Sequence, residues 1–495
     1  MCEITLSSGK SFKVHEGVLL LDALVENGYL LPAPCGGRGT CGKCKVQILR
    51  GEISHAEKDE KGFVLACQAR VIEDITLVTP QESGNGLDAF EGTSLQGEKE
   101  GLGVALDIGT TTLAACLVDL RSGQVLKKTS ALNPQSVCGA DVLSRIDACG
   151  KGKLVLLSEL IRQKTNELIH LLAEGEYIEE LSVAANTTML HLFMGIDPTP
   201  IGVAPFTPVF TAAQECDGEQ LGLSSKRVKL LPSISAYVGA DITAGAVACE
   251  MGEAKTTEML VDVGTNGEIL LSHGGKLYAA STAAGPALEG ACMDCGIGGV
   301  QGAVDKVFLS EEGLAFTTVG GAPAKGICGS GYVDLIALLL KEGLIDETGA
   351  WDEEYDGVLL EHYKDEKFYL TPEIYLSQKD IRQFQLAKSA IRAGVETLLR
   401  EVRLTPNDLK KLYIAGGLGY YMNVQNAVAV GLLPFGDADK VQAVGNTSLA
   451  GARLCLLREE YHKQAKEIAI QTKTVELSFS QTFQELYVEY MSFGE

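Results

Sequence analysis

The sequence predicts a small α+β module followed by a large, two-lobed α/β region, and three observations carry that reading. A loop dense in cysteine and glycine, Cys35-Gly-Gly-Arg-Gly-Thr-Cys41-Gly-Lys-Cys44, lies between short β-like runs near the amino terminus. A polar, glycine-rich stretch then occupies residues 79–101. From Leu102 onward apolar strands and helices alternate, and one strand–turn pattern occurs twice, ending at Asp107 and at Asp262. At 495 residues the chain exceeds what one hydrophobic core sustains, so several domains are expected.

Composition narrows the function classes. A formal charge of −23 argues against nucleic acid and against an anionic membrane surface as partners. No apolar run approaches the roughly 18 residues that a membrane span requires, and Met1-Cys-Glu-Ile-Thr-Leu lacks the pattern of a signal peptide. Fourteen cysteines spread over this length fit a reducing cytoplasm, with some of the thiols binding metal.

The first module covers residues 1–78. Ile4-Thr-Leu and Ser11-Phe-Lys-Val read as strands, Leu19-Leu-Leu-Asp-Ala-Leu-Val as a helix, and Lys45-Val-Gln-Ile-Leu as a strand after the cysteine loop. Closing strands fall around Cys67-Gln-Ala-Arg-Val and Ile75-Thr-Leu-Val. The cysteines are spaced C-x5-C-x2-C, and Cys67 follows after 22 intervening residues. Three thiolates plus one suit a [2Fe–2S] cluster, because each iron takes two cysteine ligands. The glycines let a loop wrap the cluster and turn bare N–H groups toward sulfur. Zinc is the competing metal, but structural zinc sites usually pair two separated knuckles and only one C-x2-C occurs in this module. The module resembles the plant-type ferredoxin fold, a β-grasp, with one extra residue between Cys35 and Cys41.

Residues 79–101 read as a flexible linker of about 23 residues, with an r.m.s. span of roughly 25–30 Å. Beyond it, "GVALDIGTTTLAACLVDLRSGQVLKKTSA" from Gly103 is echoed by "EMLVDVGTNGEILLSHGGKLYAASTAA" from Glu258. Each is an apolar strand ending in Asp-[Ile/Val]-Gly-Thr, then a second strand, a glycine turn and a third strand. The echo is too widely spaced for a solenoid and predicts two related lobes, about 102–255 and 256–445, with a C-terminal segment 446–495.

The repeated motif carries chemistry. In Asp107-Ile-Gly109-Thr110-Thr111-Thr112 and Asp262-Val-Gly264-Thr265-Asn266-Gly267, glycine admits close backbone approach while amides and hydroxyls hold phosphate oxygens. The aspartates would orient hydrated Mg²⁺. No G-x4-G-K-[ST] is present, which excludes a P-loop site. A third element, Tyr413-Ile-Ala-Gly416-Gly417-Leu-Gly419, runs an apolar strand into glycines. In that order the three segments resemble the phosphate 1, phosphate 2 and adenosine motifs of the actin/Hsp70/sugar-kinase superfamily. The resemblance implies an actin-like (ribonuclease-H-like) ATPase domain binding ATP.

A ferredoxin-like module fused to such an ATPase resembles the reductive activators of corrinoid proteins. Further segments carry that resemblance: Ala185-Asn-Thr-Thr-Met-Leu-His-Leu, Tyr237-Val-Gly-Ala-Asp-Ile-Thr-Ala-Gly, Ala284-Gly-Pro-Ala-Leu-Glu-Gly-Ala, Gln378-Lys-Asp-Ile-Arg-Gln-Phe-Gln-Leu-Ala-Lys and Val444-Gly-Asn-Thr-Ser-Leu-Ala-Gly-Ala. The resemblance implies ATP-dependent transfer of one electron, from a low-potential donor such as ferredoxin through [2Fe–2S], to Co(II) of a corrinoid protein. That protein would be a corrinoid iron–sulfur protein or a methyltransferase corrinoid subunit. A homodimer stays open. With only a linker between ferredoxin and ATPase, the chain reads as a short form lacking the family's middle domain. Two other readings are an activator of a non-corrinoid target, such as a 2-hydroxyacyl-CoA dehydratase, and a ferredoxin fused to a non-hydrolysing nucleotide sensor.

Secondary features complete the expectations. Asp241 either positions the attacking water or caps a helix. Lys388 either reaches adenine or ribose or is solvated, and His191 packs on a helix. Cys292-Met-Asp-Cys295 reads as two loop thiols, with a second cluster shared across a dimer as the alternative.

Overall fold

The computed structural model describes residues 2–7, 10–27, 29, 31, 39, 44–56, 58–59, 62–78, 95–251, 256–311, 313–416, 418, 422–435 and 439–494. The chain divides into two compact units. One comprises 1–84 with 132–164 and 191–207, and the other comprises 85–131, 165–190 and 208–495.

In the first unit, alternating apolar residues build a five-stranded sheet. β1 (Cys2–Leu6) shows strict in–out alternation and pairs antiparallel with β2 (Ser11–Val14). It pairs parallel with β5 (Ile75–Val78), which in turn neighbours β3 (Lys45–Arg50) and then β4 (Phe63–Leu65). Helix α1 (Leu20–Glu26) buries Leu20, Leu21, Ala23 and Leu24, the three-and-four spacing that puts one apolar stripe on the core. A parallel β1–β5 pair flanked by hairpins, with one helix, is the β-grasp expected from the sequence. Within the same unit Asp22, on the outer face of α1, pairs with Lys153 at 3.3 Å. Both side chains are about two-fifths exposed, so the pair is weak.

The second unit contains the predicted duplication. The first lobe is formed by β6 (Leu102–Ile108), β7 (Thr112–Asp119), β8 (Val125–Leu132), β9 (Ile178–Ala185), β10 (Gln214–Asp217) and β11 (Arg227–Leu230). Its sheet runs β8-β7-β6-β9-β11-β10. After helix α2 (Ala240–Ala248) come β12 (Glu258–Val263), β13 (Gly267–His273) and β14 (Lys276–Thr282). The long helix α3 (Gln378–Glu401), β15 (Lys411–Ala415), β16 (Val441–Gly445) and helices α4 (Thr447–Leu457) and α5 (Glu459–Gln471) follow. The second sheet runs β16-β15-β12-β13-β14-β17, with β17 at Lys473–Thr474. With the edge strands β10 (antiparallel to β11) and β17 left out of the count, both sheets read third, second, first, fourth, fifth from the first strand of each lobe. The first two strands are antiparallel, and the fourth and fifth run parallel to the first. This is the ribonuclease-H-like topology of an actin-type domain.

In each lobe the helix that follows the fifth strand crosses to the same place. α2 and α4 pack so closely that a Cβ on Gly451 would lie 2.0 Å from the Ala244 carbonyl oxygen. Residues 95–101, counted as linker above, are held by this unit. Gly97 N donates to Arg121 O at 3.0 Å, Glu98 N to Leu457 O at 3.1 Å, and Leu120 N to Gly101 O at 2.9 Å. Residues 79–94 lie outside the described residues. Among the described residues no helix is long and apolar enough to cross a membrane.

The α2–α4 contact generates a stability prediction. Gly451→Ala should cost about 1–3 kcal/mol through overpacking and lower the thermal midpoint of the large unit by several degrees. Gly298→Ala, where an added Cβ meets nothing within 4 Å, should leave it unchanged. Differential scanning calorimetry checks both.

Candidate ATP and iron–sulfur sites

Asp107 and Asp262 occupy equivalent places, the penultimate residue of a buried strand at which the side chain opens toward the cleft. Apart from Leu102 at the start of β6, each strand is buried on its other positions, so the pattern of a core strand is broken at the aspartate. After each comes a tight turn: Gly109 N donates to Thr112 O at 3.0 Å, and Gly264 N to Asn266 O at 3.2 Å. Thr110 Oγ1 accepts from Asn186 Nδ2 at 3.1 Å. Thr111 and Thr265, one from each hairpin, both donate to Glu289 Oε2, at 2.9 and 2.5 Å. Their hydroxyls lie 3.4 Å apart. Gly267 instead faces the core, since a Cβ there would press on Ile391 of α3 at 2.9 Å.

Antiparallel register places Glu268 directly opposite Asp262. Asp241 enters from the first turn of α2 and shares a hydrogen bond with Glu268. Asn446 Nδ2 and Ser448 Oγ, from the first turn of α4, donate to the two oxygens of Asp107 at 2.8 and 2.7 Å. Asn446 thereby does two jobs, because its own Oδ1 caps α4 by accepting from Leu449 N at 2.7 Å. Asp107, Asp241, Asp262 and Glu268 thus converge, and the helices α2 and α4 both begin there, with their positive ends toward the cluster.

The electrostatics of this arrangement are adverse by themselves. Burial pushes the Asp107 carboxyl up to about 6, against which Ser448 and Asn446 pull it down. Burial pushes Asp241 up to about 7, and the Asp107 charge adds to that shift. Burial also holds Asp262 and Glu268 well above the ordinary carboxylate range, assisted by the neighbouring carboxylates. At an effective dielectric near 20, two like charges 4 Å apart repel by about 4 kcal/mol. A hard divalent cation with oxygen ligands is the group whose chemistry fits this donor set.

Gly416 ends β15 at φ +90°, and a Cβ there would lie 2.8 Å from Asp262 Oδ1. It therefore stands at the cluster's edge, while Gly417 and Gly419 lie outside the described residues. Lys388 departs from the sequence expectation. It is fully buried, its ammonium donates to the Ser492 carbonyl and lies 5.2 Å from the Phe493 ring centre, and burial lowers its pKa to about 7. An adenine or ribose contact would require that anchor to break. His191 is fully buried, as expected of a packed residue. Cys295 donates its thiol toward Glu373 O at 3.7 Å and accepts from Tyr375 N at 3.5 Å, while Cys292 adopts φ +64°.

In the small module, Cys44 and Cys67 are both buried and are brought together by the β3–β4 ladder. Lys45 pairs with Leu65, and the Cys44 carbonyl accepts from Ala66 N at 3.0 Å. Gly39 has φ +77° and a Cβ there would overlap the Gln68 amide, so the backbone at Gly39 lies directly against the residue after Cys67. Cys35 and Cys41 lie outside the described residues. The two placed thiols, both buried, fit a thiolate-ligated cluster.

Three family models match the chain. A 2Fe-2S iron-sulfur cluster binding domain covers residues 4–71, the RACo middle region covers 102–254, and the C-terminal domain of RACo, the ASKHA domain, covers 256–495. The chain is 35% identical over 441 residues to the corrinoid activation enzyme RamQ of Eubacterium limosum, spanning 83% of this chain and 74% of that protein. It is 27% identical over 430 residues to the [Co(II) methylated amine-specific corrinoid protein] reductase of Methanosarcina barkeri, spanning 79% and 77%. The solved structure of a reductive activator for corrinoid, iron-sulfur protein superposes over 100% of this chain and 98% of that one, at 30% identity and a TM-score of 0.74. The match over 102–254 overturns the expectation of a short form without a middle domain. The residues read from sequence as the first ATPase lobe are themselves the middle region, so the middle region is present between the ferredoxin module and the second lobe.

The raised Asp107 pKa makes a signed prediction. The native carboxyl holds its proton up to about 6, against an ordinary value of 3.8. Between these values the native state binds the extra proton, so stability falls as pH rises through that window and the full cost is present above it. Without nucleotide or divalent ion, Asp107→Asn should raise the thermal midpoint over the unsubstituted protein at pH 8. The gap should shrink by pH 5. A gap independent of pH would contradict the assignment.

Proposed function

The chain belongs to the reductive activators of corrinoid proteins, and from that premise we propose how its residues divide the work of passing an electron uphill at the expense of ATP. The family reaction is the ATP-dependent reduction of a corrinoid protein through a [2Fe–2S] group, and this chain carries both halves of it. The single observation that carries the division is the convergence of Asp107, Asp241, Asp262 and Glu268 beneath two hairpins and two helix N-termini.

Asp107 and Asp262, from equivalent strands, hold the cation that accompanies ATP, with Glu268 completing the acidic wall. Mg²⁺ bound there supplies charge neutralisation to the phosphates. Turn amides of the two hairpins donate to phosphate oxygens, and the Thr111 and Thr265 hydroxyls, which donate to Glu289 in this structure, turn to phosphate oxygens when nucleotide enters. The N-termini of α2 and α4 favour the same negative charge. Asp241, with its carboxyl pushed up to about 7, accepts the proton of the attacking water. Its hydrogen bond to Glu268 fixes its direction. Gly416 keeps the wall beside Asp262 bare.

Cys35, Cys41, Cys44 and Cys67 hold the cluster, which in plant-type form stores one electron near roughly −400 mV. Cobalt of the partner is the substrate of the electron. A one-electron equilibrium shifts tenfold for about every 59 mV, so an acceptor well below the cluster is reached only if ATP changes a conformation or the cobalt environment. A two-lobed domain whose carboxylates repel until a cation arrives is suited to closing on nucleotide. A low-potential ferredoxin-type protein is the natural donor for a cluster of this kind. The scheme requires neither a homodimer nor a second cluster at Cys292 and Cys295.

Two variants separate the halves. Asp262→Ala should lower ATP turnover more than 100-fold and abolish ATP-dependent Co(II) reduction, while the visible spectrum of the cluster stays intact. Cys67→Ser should bleach that spectrum and abolish reduction, yet leave ATP turnover within twofold. Persistent ATP turnover in Asp262→Ala would overturn the site.

A further inference from the structure

Helix α4 touches the ATP site at one end and the connection to the ferredoxin module at the other. At its first turn Asn446 and Ser448 hold both oxygens of Asp107. At its last turn the carbonyl of Leu456 accepts from Lys99 Nζ at 3.1 Å, and that of Leu457 accepts from Glu98 N at 3.1 Å. Just beyond it, Arg458 Nε donates to Gln96 O at 2.8 Å. The 11 residues between these ends span about 16 Å at 1.5 Å per residue. Residues 96–99 are therefore fastened to the far end of the helix whose near end clasps a cation-binding carboxylate.

Lys99 is the centre of that fastening. Its ammonium also pairs at 2.7 Å with Glu180, a fully buried carboxylate on β9 of the first sheet. One side chain thus ties the segment to the first sheet and to the negative end of α4, where an ammonium is favoured by the helix dipole. Between its ends α4 cannot bend freely. Gly451 lies against the Ala244 carbonyl, and Gly245 of α2 lies against Thr447, with an added Cβ 2.9 Å from its hydroxyl oxygen. Motion imposed at Asp107 would pass along it as a displacement of the whole rod against the first sheet, the small shear that packed helices allow.

We propose that α4 is a coupling rod, and that Lys99 is the positioning residue through which occupancy of the ATP site resets residues 96–99, the root of the chain leading to the ferredoxin module. The proposal rests on the ATP-site reading above. When Asp107 turns to a cation, its hydrogen bonds from Asn446 and Ser448 must lengthen or follow, and the Leu456 and Leu457 carbonyls move relative to Glu180. The root then loosens or tightens at the point where the chain leaves for the ferredoxin module. Lys99 touches neither nucleotide nor cluster.

Hydrogen–deuterium exchange on the full-length, cluster-loaded protein tests this. In the unsubstituted protein the Glu98 amide should change its exchange rate at least fivefold when Mg²⁺ and a non-hydrolysable ATP analogue are added. In Lys99→Ala that response should vanish. ATP turnover should stay within twofold and ATP-dependent Co(II) reduction should fall at least fivefold. Glu180 keeps Arg227 at 3.3 Å and Lys229 at 3.7 Å, so the variant retains counter-charges for the buried carboxylate. Lys99→Arg should recover at least half of the lost reduction, which a merely damaged fold would not. An unsubstituted protein that hydrolyses ATP but shows no nucleotide-dependent exchange at Glu98 overturns the proposal, as does Lys99→Ala with undiminished reduction. A protein without ATP turnover would fail earlier, at the reading of the site, and take the proposal with it.

Discussion

Four carboxylates forced into one cleft set the terms for this protein. Asp107, Asp241, Asp262 and Glu268 come from both lobes; burial holds all four pKa values high, and neighbouring carboxylates push Asp241, Asp262 and Glu268 further up. Around that repulsion the other parts are arranged. Two hairpins supply hydroxyls, two helices point their positive ends inward, and Asn446 and Ser448 donate to the oxygens of Asp107 that would otherwise face only negative charge. A site so built would be stabilised by a cation and nucleotide bound there, which would link occupancy to the relation between the lobes. The same arrangement explains why removing a carboxylate would firm up the empty protein while abolishing its work.

The duplication makes this economical. Each lobe contributes a strand ending in aspartate, a hairpin, and a helix after its fifth strand, and the two sets meet at the cluster. The ferredoxin module is built on a separate principle, a small β-grasp whose β3–β4 ladder holds Cys44 and Cys67 at neighbouring strand ends. The cysteines of the ferredoxin module and the acidic cluster fall in different units, and the proposed coupling uses one of the chain segments that pass between those units. The segment 95–101 and its fastening to α4 give that coupling a physical route.

Much of this was legible in the residues. The Asp107 and Asp262 hairpins announced themselves because a buried strand interrupted by one aspartate, then glycine and threonine, occurs twice. The cysteine spacing stood out for a similar local reason. Glu268 was missed although a signal existed: six residues after Asp262 across a tight turn, antiparallel register makes it the partner. Glu289, Asn446 and Ser448 reach the cluster over sequence separations that no local pattern encodes, even though the segments holding them were recognised as family features. The middle domain escaped recognition because residues 102–254 also read as the first lobe of the duplicated fold. Lys388 misled because basic helix residues reach the nucleotide in related ATPases, whereas this one is neither solvated nor free to turn, being covered by the chain at Ser492. That contact spans 104 residues.

The most direct measurement of the central claim mixes the cluster-loaded protein with a purified corrinoid protein in the Co(II) state and a low-potential reductant. The Co(II) absorption band is followed with and without Mg²⁺ and ATP. The account predicts loss of the band at least tenfold faster with ATP, and no acceleration by ATP in Asp262→Ala. Equal rates with and without ATP across candidate corrinoid proteins would contradict it.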